Sequence, residues 1–189
     1  MAESAAFKAT IVRAASTAFA ERGYAQTTLD IVARSVGLTR TGILHHFPSK
    51  ESLFRAVLDQ ERTWAEGQID VPPRPGPLGP IRELEVFLGA PRRATTPLRL
   101  IHVLEGEALA GNAVAAQYVT ERMGYVQAEI RRRLERCWDA GELAADADLA
   151  VLTTVIAATI NGLQKLWLLH PRTDQRPAFQ RFVDLLTTD

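Results

Sequence analysis

The sequence predicts an all-α protein, with an N-terminal three-helix domain built round a helix-turn-helix and a larger helical domain after it. Three observations carry this. Apolar residues recur at the spacing of amphipathic helices along most of the chain, and no stretch alternates as a strand does. Two short apolar segments, each opened by a threonine, flank Gly37. Five of the ten prolines crowd into residues 71–80 beside Gly76 and Gly79, where no helix can run through.

In chain order, Phe7, Ile11, Ala14, Ala15, Ala18 and Phe19 make one apolar face of a helix over residues 4–22, which Gly23 ends. Thr27 and Thr28 open a second helix, to Val36, with Ile31, Val32 and Val36 as its inward stripe. Gly37 stands where that helix must stop, because glycine tolerates a left-handed backbone. Thr39 opens a third helix, to His46. Ile43, Leu44 and Phe47 turn inward from it, which leaves Arg40, Thr41, His45 and His46 outside. Two short helices round a tight turn are a helix-turn-helix, and the second offers small and cationic groups to a DNA major groove.

Ser49 caps a fourth helix, to about Gln68, with Leu53, Phe54, Val57, Leu58, Glu61, Trp64 and Ala65 facing inward. Twenty residues at ~1.5 Å each span roughly 30 Å, enough to start in one domain and finish against the next. Residues 1–48 are therefore the DNA-binding domain, 49–70 a connecting helix, 71–80 a Pro/Gly-rich linker or loop, and 81–189 a helical body. Within the body, Ile81, Leu84, Glu85 and Leu88 suggest a short helix stopped by Gly89 and Pro91. Helices over 97–110 and 112–140 follow, the second with Val114, Tyr118, Met123 or Val126, Ile130, Leu134, Cys137 and Trp138. Its Arg131, Arg132, Arg133 and Arg136 read as a solvated face or a rim of ion pairs rather than a nucleic-acid patch, since acids interleave them. The helix from Asp146 to Leu169 is apolar on more than one face, and a last one over 174–187 carries Phe179, Phe182, Val183, Leu185 and Leu186. Together they hold more apolar surface than a small body needs, which marks a partner surface. Two copies meeting about a two-fold axis would close a four-helix bundle from residues about 146–187.

With 47% hydrophobic and 23% charged residues the chain has the composition of an ordinary globular protein. Net charge is zero, so any affinity for nucleic acid rests on a local patch. Residues 1–58 carry seven Lys/Arg against four acids, a basic head on a slightly acidic body. Cys137 is alone and can form no internal disulfide. The N-terminus shows no signal-like apolar region. The longest apolar run, Leu149 to Leu169, is interrupted by Thr153, Thr154, Asn161, Gln164 and Lys165, so no membrane span and a cytoplasmic location are expected.

Gly23-Tyr24, Thr27-Thr28, Asp30-Ile31, Ala33, Gly37, the stretch Thr39 to Phe47, Ser49-Lys50-Glu51 and Leu53-Phe54 resemble the signature of TetR-family transcriptional regulators. The resemblance runs from about Gly23 to Phe54, and beyond it only the layout is similar. The chain departs from the family at Thr41 and Gly42, and at Leu44, where the family usually has Tyr. What the resemblance implies is a homodimer that clasps itself through its last two helices, binds an operator, and answers to a small-molecule effector, most simply as a repressor.

On that reading Arg40 faces guanine O6 and N7 or else a phosphate, and Thr41 and Gly42 allow close approach of the helix to the groove. His45 and His46 bracket the groove edge. As a metal pair they are poor, because neighbours on a helix point about 100° apart. Thr28 and Thr39 can meet phosphates while capping, and Lys50, in the first turn of the fourth helix, is placed for a phosphate. Trp64, His102, Glu105, Tyr118, Tyr125, Trp138 and Trp167 are candidates for an effector pocket, being aromatic with a few polar groups. The competing reading is a helical enzyme or ligand-carrier with a structural helix-turn-helix. There is no Gly-rich phosphate loop, no HExxH and no nucleophile elbow, and His102 with Glu105 lacks the paired Glu-x-x-His motifs of a carboxylate-bridged metal site. No catalytic residue, metal or cofactor is expected.

Overall fold

The computed structural model describes residues 2–69, 74–88 and 95–186, with side chains described over 5–63, 74–88 and 95–186. Among the described residues there is no strand. The elements are α1 (Ala2–Gln26), α2 (Leu29–Ser35), α3 (Arg40–His46), α4 (Lys50–Ile69), α5 (Gly79–Arg82) running into a 3-10 turn (Glu83–Phe87), α6 (Thr95–Leu109), α7 (Ala113–Asp139), α8 (Leu149–Leu169) and α9 (Arg176–Asp184).

Their boundaries follow local chemistry. Gly23, at φ 78° and ψ 173°, breaks α1 three residues before its end, a conformation essentially confined to glycine. Thr28 caps α2 by accepting from the Ile31 N–H at 3.3 Å, and Thr39 caps α3 by accepting from Gly42 at 3.2 Å. Gly37, at φ 72°, lets the Leu38 N–H turn back to the Ala33 carbonyl at 2.9 Å. Ser49 and Ser52 cap α4 reciprocally, each hydroxyl accepting from the other's backbone N–H at 3.0 Å. Asp148 opens α8, two residues later than expected, by accepting from Ala150 and Val151.

The chain forms two compact units. One holds residues 1–67 and 94–119, the other 68–93 and 120–189. The expected chain boundary near residue 81 put α6 and the start of α7 with the body. Instead Leu100, Leu104 and Ala115 belong to the same core as Ile11, Phe19, Val32, Ile43, Leu53 and Phe54. Helical spacing tells which side of α6 is buried, not against which neighbour.

The second unit packs Leu78, Ile81, Leu84, Ile130, Leu134, Cys137, Ile156, Phe179 and Val183 into its own core. Residues 74–78 are a loop on it: Leu78 is fully buried at φ 54°, and its N–H donates to Glu142 at 2.9 Å. Val126 packs on this core while Met123 is half exposed, which decides between the two. Arg133 departs from the solvated arginine face: its side chain is buried, paired with Glu129 and lying 3.8 Å from Glu83. Arg131 does pair outside, with Glu135 at 2.8 Å. Burial and the neighbouring Glu142 push the Cys137 thiol up to about 12. Gly89 and Pro91, the expected stop after residue 88, and Thr187 lie outside the described residues, as does the side chain of Trp64.

The 21-residue α8 is, despite its polar interruptions, long and apolar enough to cross a membrane by length and composition alone, a test that the core helix of a soluble protein also passes. Its exposed face explains the composition otherwise. Val151, Val155, Ala158, Gly162, Leu166 and Leu169 fall on one stripe of exposed residues. Ala178 and Leu185, with half-buried Phe182, make a shorter stripe on α9.

Candidate nucleic-acid interface

The α2–α3 pair is anchored by few side chains. Leu29, Val32 and Ala33 are buried from α2, and Ile43 and the following Phe47 from α3. The expected inward stripe meets the core, Val32 fully buried and Ile31 and Val36 partly buried against it, and Leu29 and Ala33 join it. Leu44 is a correction. Expected inward from its spacing, it stands 37% exposed instead. In a helix of seven residues Ile43 and Phe47, four apart, take the inner position, and Leu44 lies about 100° round from Ile43.

The outward face of α3 is therefore Arg40, Thr41, Leu44 and His45, all exposed. Gly42 and His46 are half-buried. A Cβ at Gly42 would meet Leu38 at 3.4 Å, ordinary contact, so the glycine is no steric requirement within the chain. His46 turns towards α1, its ring centroid 5.5 Å from that of Phe7 and 5.4 Å from that of His45. Arg40 reaches back to α2, with Nη1 3.5 Å from the Asp30 carboxylate. Both groups are largely exposed, so the pair orients the guanidinium while adding little stability.

A denser polar arrangement joins the end of α1, the start of α4 and the end of α6. The Lys50 ammonium sits over the Tyr24 ring and donates to the Ala25 carbonyl at 3.3 Å. Burial lowers the Lys50 pKa, against the Glu107 carboxylate, which raises it. Burial, then Glu51 and Glu107, raises that of the Tyr24 phenol. Glu107, from the last turn of α6, accepts from the Tyr24 N–H at 3.0 Å and the Ala25 N–H at 2.9 Å. Neither Tyr24 nor Glu107 stands out as a site residue in the sequence. The one available signal is an acid at the C-terminal end of a helix, where the dipole disfavours it.

The candidate effector residues divide between the two compact units. In the first, His102 Nδ1 lies 2.9 Å from Glu105 Oε2, and the His102 side chain is 10% exposed. Its Nε2 is buried with no hydrogen-bond partner. Tyr118 packs edge-on to Phe54 at 6.4 Å and borders the first core. In the second unit Tyr125 and Trp138 are 39% and 37% exposed, and Trp167 is half-buried. Among the described residues no group of three or more His, Cys, Asp or Glu is placed to hold a metal ion.

Residues 11–57 match the family model "Bacterial regulatory proteins, tetR family". The HTH-type transcriptional regulator TtgR of Pseudomonas putida is 28% identical over 177 residues, 87% of this chain and 81% of that one. An HTH-type transcriptional repressor of Mycobacterium tuberculosis is 28% identical over 162 residues, 84% and 81%. In fold the chain is similar to the transcriptional regulator FadR of Bacillus subtilis, solved with stearoyl-CoA, at a TM-score of 0.70 and 18% identity over 95% of this chain and 97% of that one.

Proposed function

This chain belongs to the TetR family of bacterial regulatory proteins, and we propose that it is a homodimeric repressor released from its operator by a small-molecule effector. The observation that carries the reading is the outward face of α3, where Arg40, Thr41, Leu44 and His45 stand free of the core while Ile43 and Phe47 hold the helix down. The two recognition helices of a dimer lie in successive major grooves of a roughly palindromic site. Arg40 reads guanine. Leu44, the apolar member of that face, meets the thymine methyl, the apolar group the major groove offers. Thr28 and Thr39 cap their helices and meet phosphates, Gly42 permits close approach, and His45, His46 and Lys50 border the backbone. Cytoplasmic operator DNA is the partner, with no membrane.

Self-association uses the apolar stripes of α8 and α9, whose centre, Ala158 and Gly162, is small enough for two helices to approach closely. For the effector, His102 is the best-supported contact. With its Nδ1 proton facing Glu105, the buried Nε2 accepts from a hydroxyl or amine, and an unmade hydrogen bond there costs stability until a ligand makes it. Tyr118, in the same compact unit as His102, remains a candidate contact, and Trp64, Tyr125, Trp138 and Trp167 are separate candidates. Binding favours one packing of α4, which carries the head, and so changes the separation of the recognition helices.

A gel-shift and footprint with the DNA upstream of the chain's own gene test the reading. A protected, roughly palindromic site supports it. Binding to that DNA no tighter than to unrelated duplex at low salt defeats it.

A further inference from the structure

We infer that Glu107 is a positioning residue for operator binding: its carboxylate locks the last turn of α1, beyond the Gly23 break, onto the end of α6 and so fixes where the helix-turn-helix stands. The inference rests on the chain being an operator-binding regulator, but on none of the effector assignments.

The turn is shaped to take a carboxylate. Two consecutive backbone N–H groups, of Tyr24 and Ala25, point at the two oxygens of Glu107 at 3.0 and 2.9 Å. Gly23 makes this possible twice over. Its φ of 78° and ψ of 173° turn the N–H groups towards α6, and a Cβ there would overlap Glu107 Oε1. Successive N–H groups converging on one anion form a local binding concavity, here filled by the chain's own side chain.

Glu107 is itself held. The Asn112 side-chain amide donates to Oε2 at 3.2 Å, and its backbone N–H donates to the Glu107 carbonyl at 2.9 Å. The same Asn112 caps α7 through its Oδ1, which accepts from Val114 and Ala115. On the far side, the Ala25 carbonyl takes the Lys50 ammonium at the start of α4. The starts of α7 and α4, the end of α6 and the last turn of α1 thus meet in one hydrogen-bonded relay with Glu107 at its centre. From that turn the chain passes directly into Thr28 and α2. A helix-turn-helix resting on an unlocked turn still carries its cations, and so still binds DNA without regard to sequence. It loses the fixed placement that base reading needs.

The test compares Glu107→Ala with wild type, full chain, on two probes: the duplex upstream of its own gene and a scrambled duplex of equal length. The variant frees the exposed Ala25 N–H to water and leaves the part-buried Tyr24 N–H to relax, so circular dichroism and a thermal melt first verify its fold. Hydrogen exchange of the peptide spanning Tyr24 and Ala25 reports the lock itself. The inference expects affinity for the upstream duplex to fall tenfold or more, affinity for the scrambled duplex to change less than twofold, and exchange at 24–25 to accelerate. In a second arm, Gly23→Ala is expected to cost less affinity in the Glu107→Ala background than alone. An equal loss on both duplexes, or faster exchange with upstream affinity unchanged, overturns the inference. A wild type that does not prefer the upstream duplex defeats the regulator reading instead.

Discussion

The Lys50 ammonium lies 4.3 Å from the centroid of the Tyr24 ring, so the cation at the start of α4 is already partnered before any DNA arrives. An aromatic face holds a partly exposed cation by about 0.5–1 kcal/mol. A phosphate, fully charged and in hydrogen-bond reach, competes well with that. Lys50→Ala is expected to weaken upstream and unrelated DNA by the same factor and to reduce the slope of log affinity against log salt by about one. An unchanged slope in a salt titration would show that the ammonium never leaves Tyr24.

Arg40 and Leu44 make separable predictions about sequence. Arg40→Ala is expected to cost ~1–3 kcal/mol of operator affinity and to relax one base position in a selection assay. Replacing each thymine of the footprint by uracil removes only a methyl. At one position per half-site that change should weaken wild type several-fold and leave Leu44→Ala indifferent. Wild type insensitive to every such replacement removes Leu44 from base reading while leaving Arg40 in place.

Gly162 lies on the exposed apolar stripe of α8, with open space where its Cβ would be. Gly162→Arg therefore fits the isolated chain and obstructs a second copy. Sedimentation equilibrium is expected to show a dimer for wild type and a monomer for the variant, with helical content unchanged. A variant that stays dimeric moves the clasp elsewhere.

Glu61 of α4 is buried and accepts from the Ser16 hydroxyl of α1 at 3.0 Å. Burial raises its carboxyl above the ordinary value, against the Ser16 hydrogen bond, which lowers it. A carboxyl raised on folding contributes its stability below its unfolded pKa and loses it as pH rises through the folded one. Glu61→Gln keeps an acceptor for Ser16 and cannot ionise. Its melting midpoint should exceed that of wild type at pH 8, and the difference should shrink towards zero below about pH 4. A constant difference across that range would assign the effect to packing.

The helix ends were the most legible part of the sequence. Gly23, Thr28, Gly37, Thr39 and Ser49 each announce a boundary through chemistry that acts within four residues. The outward place of Leu44 is not legible, because two turns of helix give too few residues for a period to choose between neighbours. The grouping of α6 with the first three helices was not legible either, since Leu100 and Leu104 read as buried whichever partner they meet. The role of Glu107 is not legible, because its partners are backbone N–H groups more than eighty residues away, which carry no mark in the sequence.

The seven-residue α3 is far too short to be stable alone, and two residues, Ile43 and Phe47, tie it down. Its remaining outward positions are therefore released from the duty of folding. A descendant of this protein can change which DNA it recognises by altering three or four surface side chains, with the scaffold indifferent to the outcome. Recognition can drift quickly here because the architecture never depended on it.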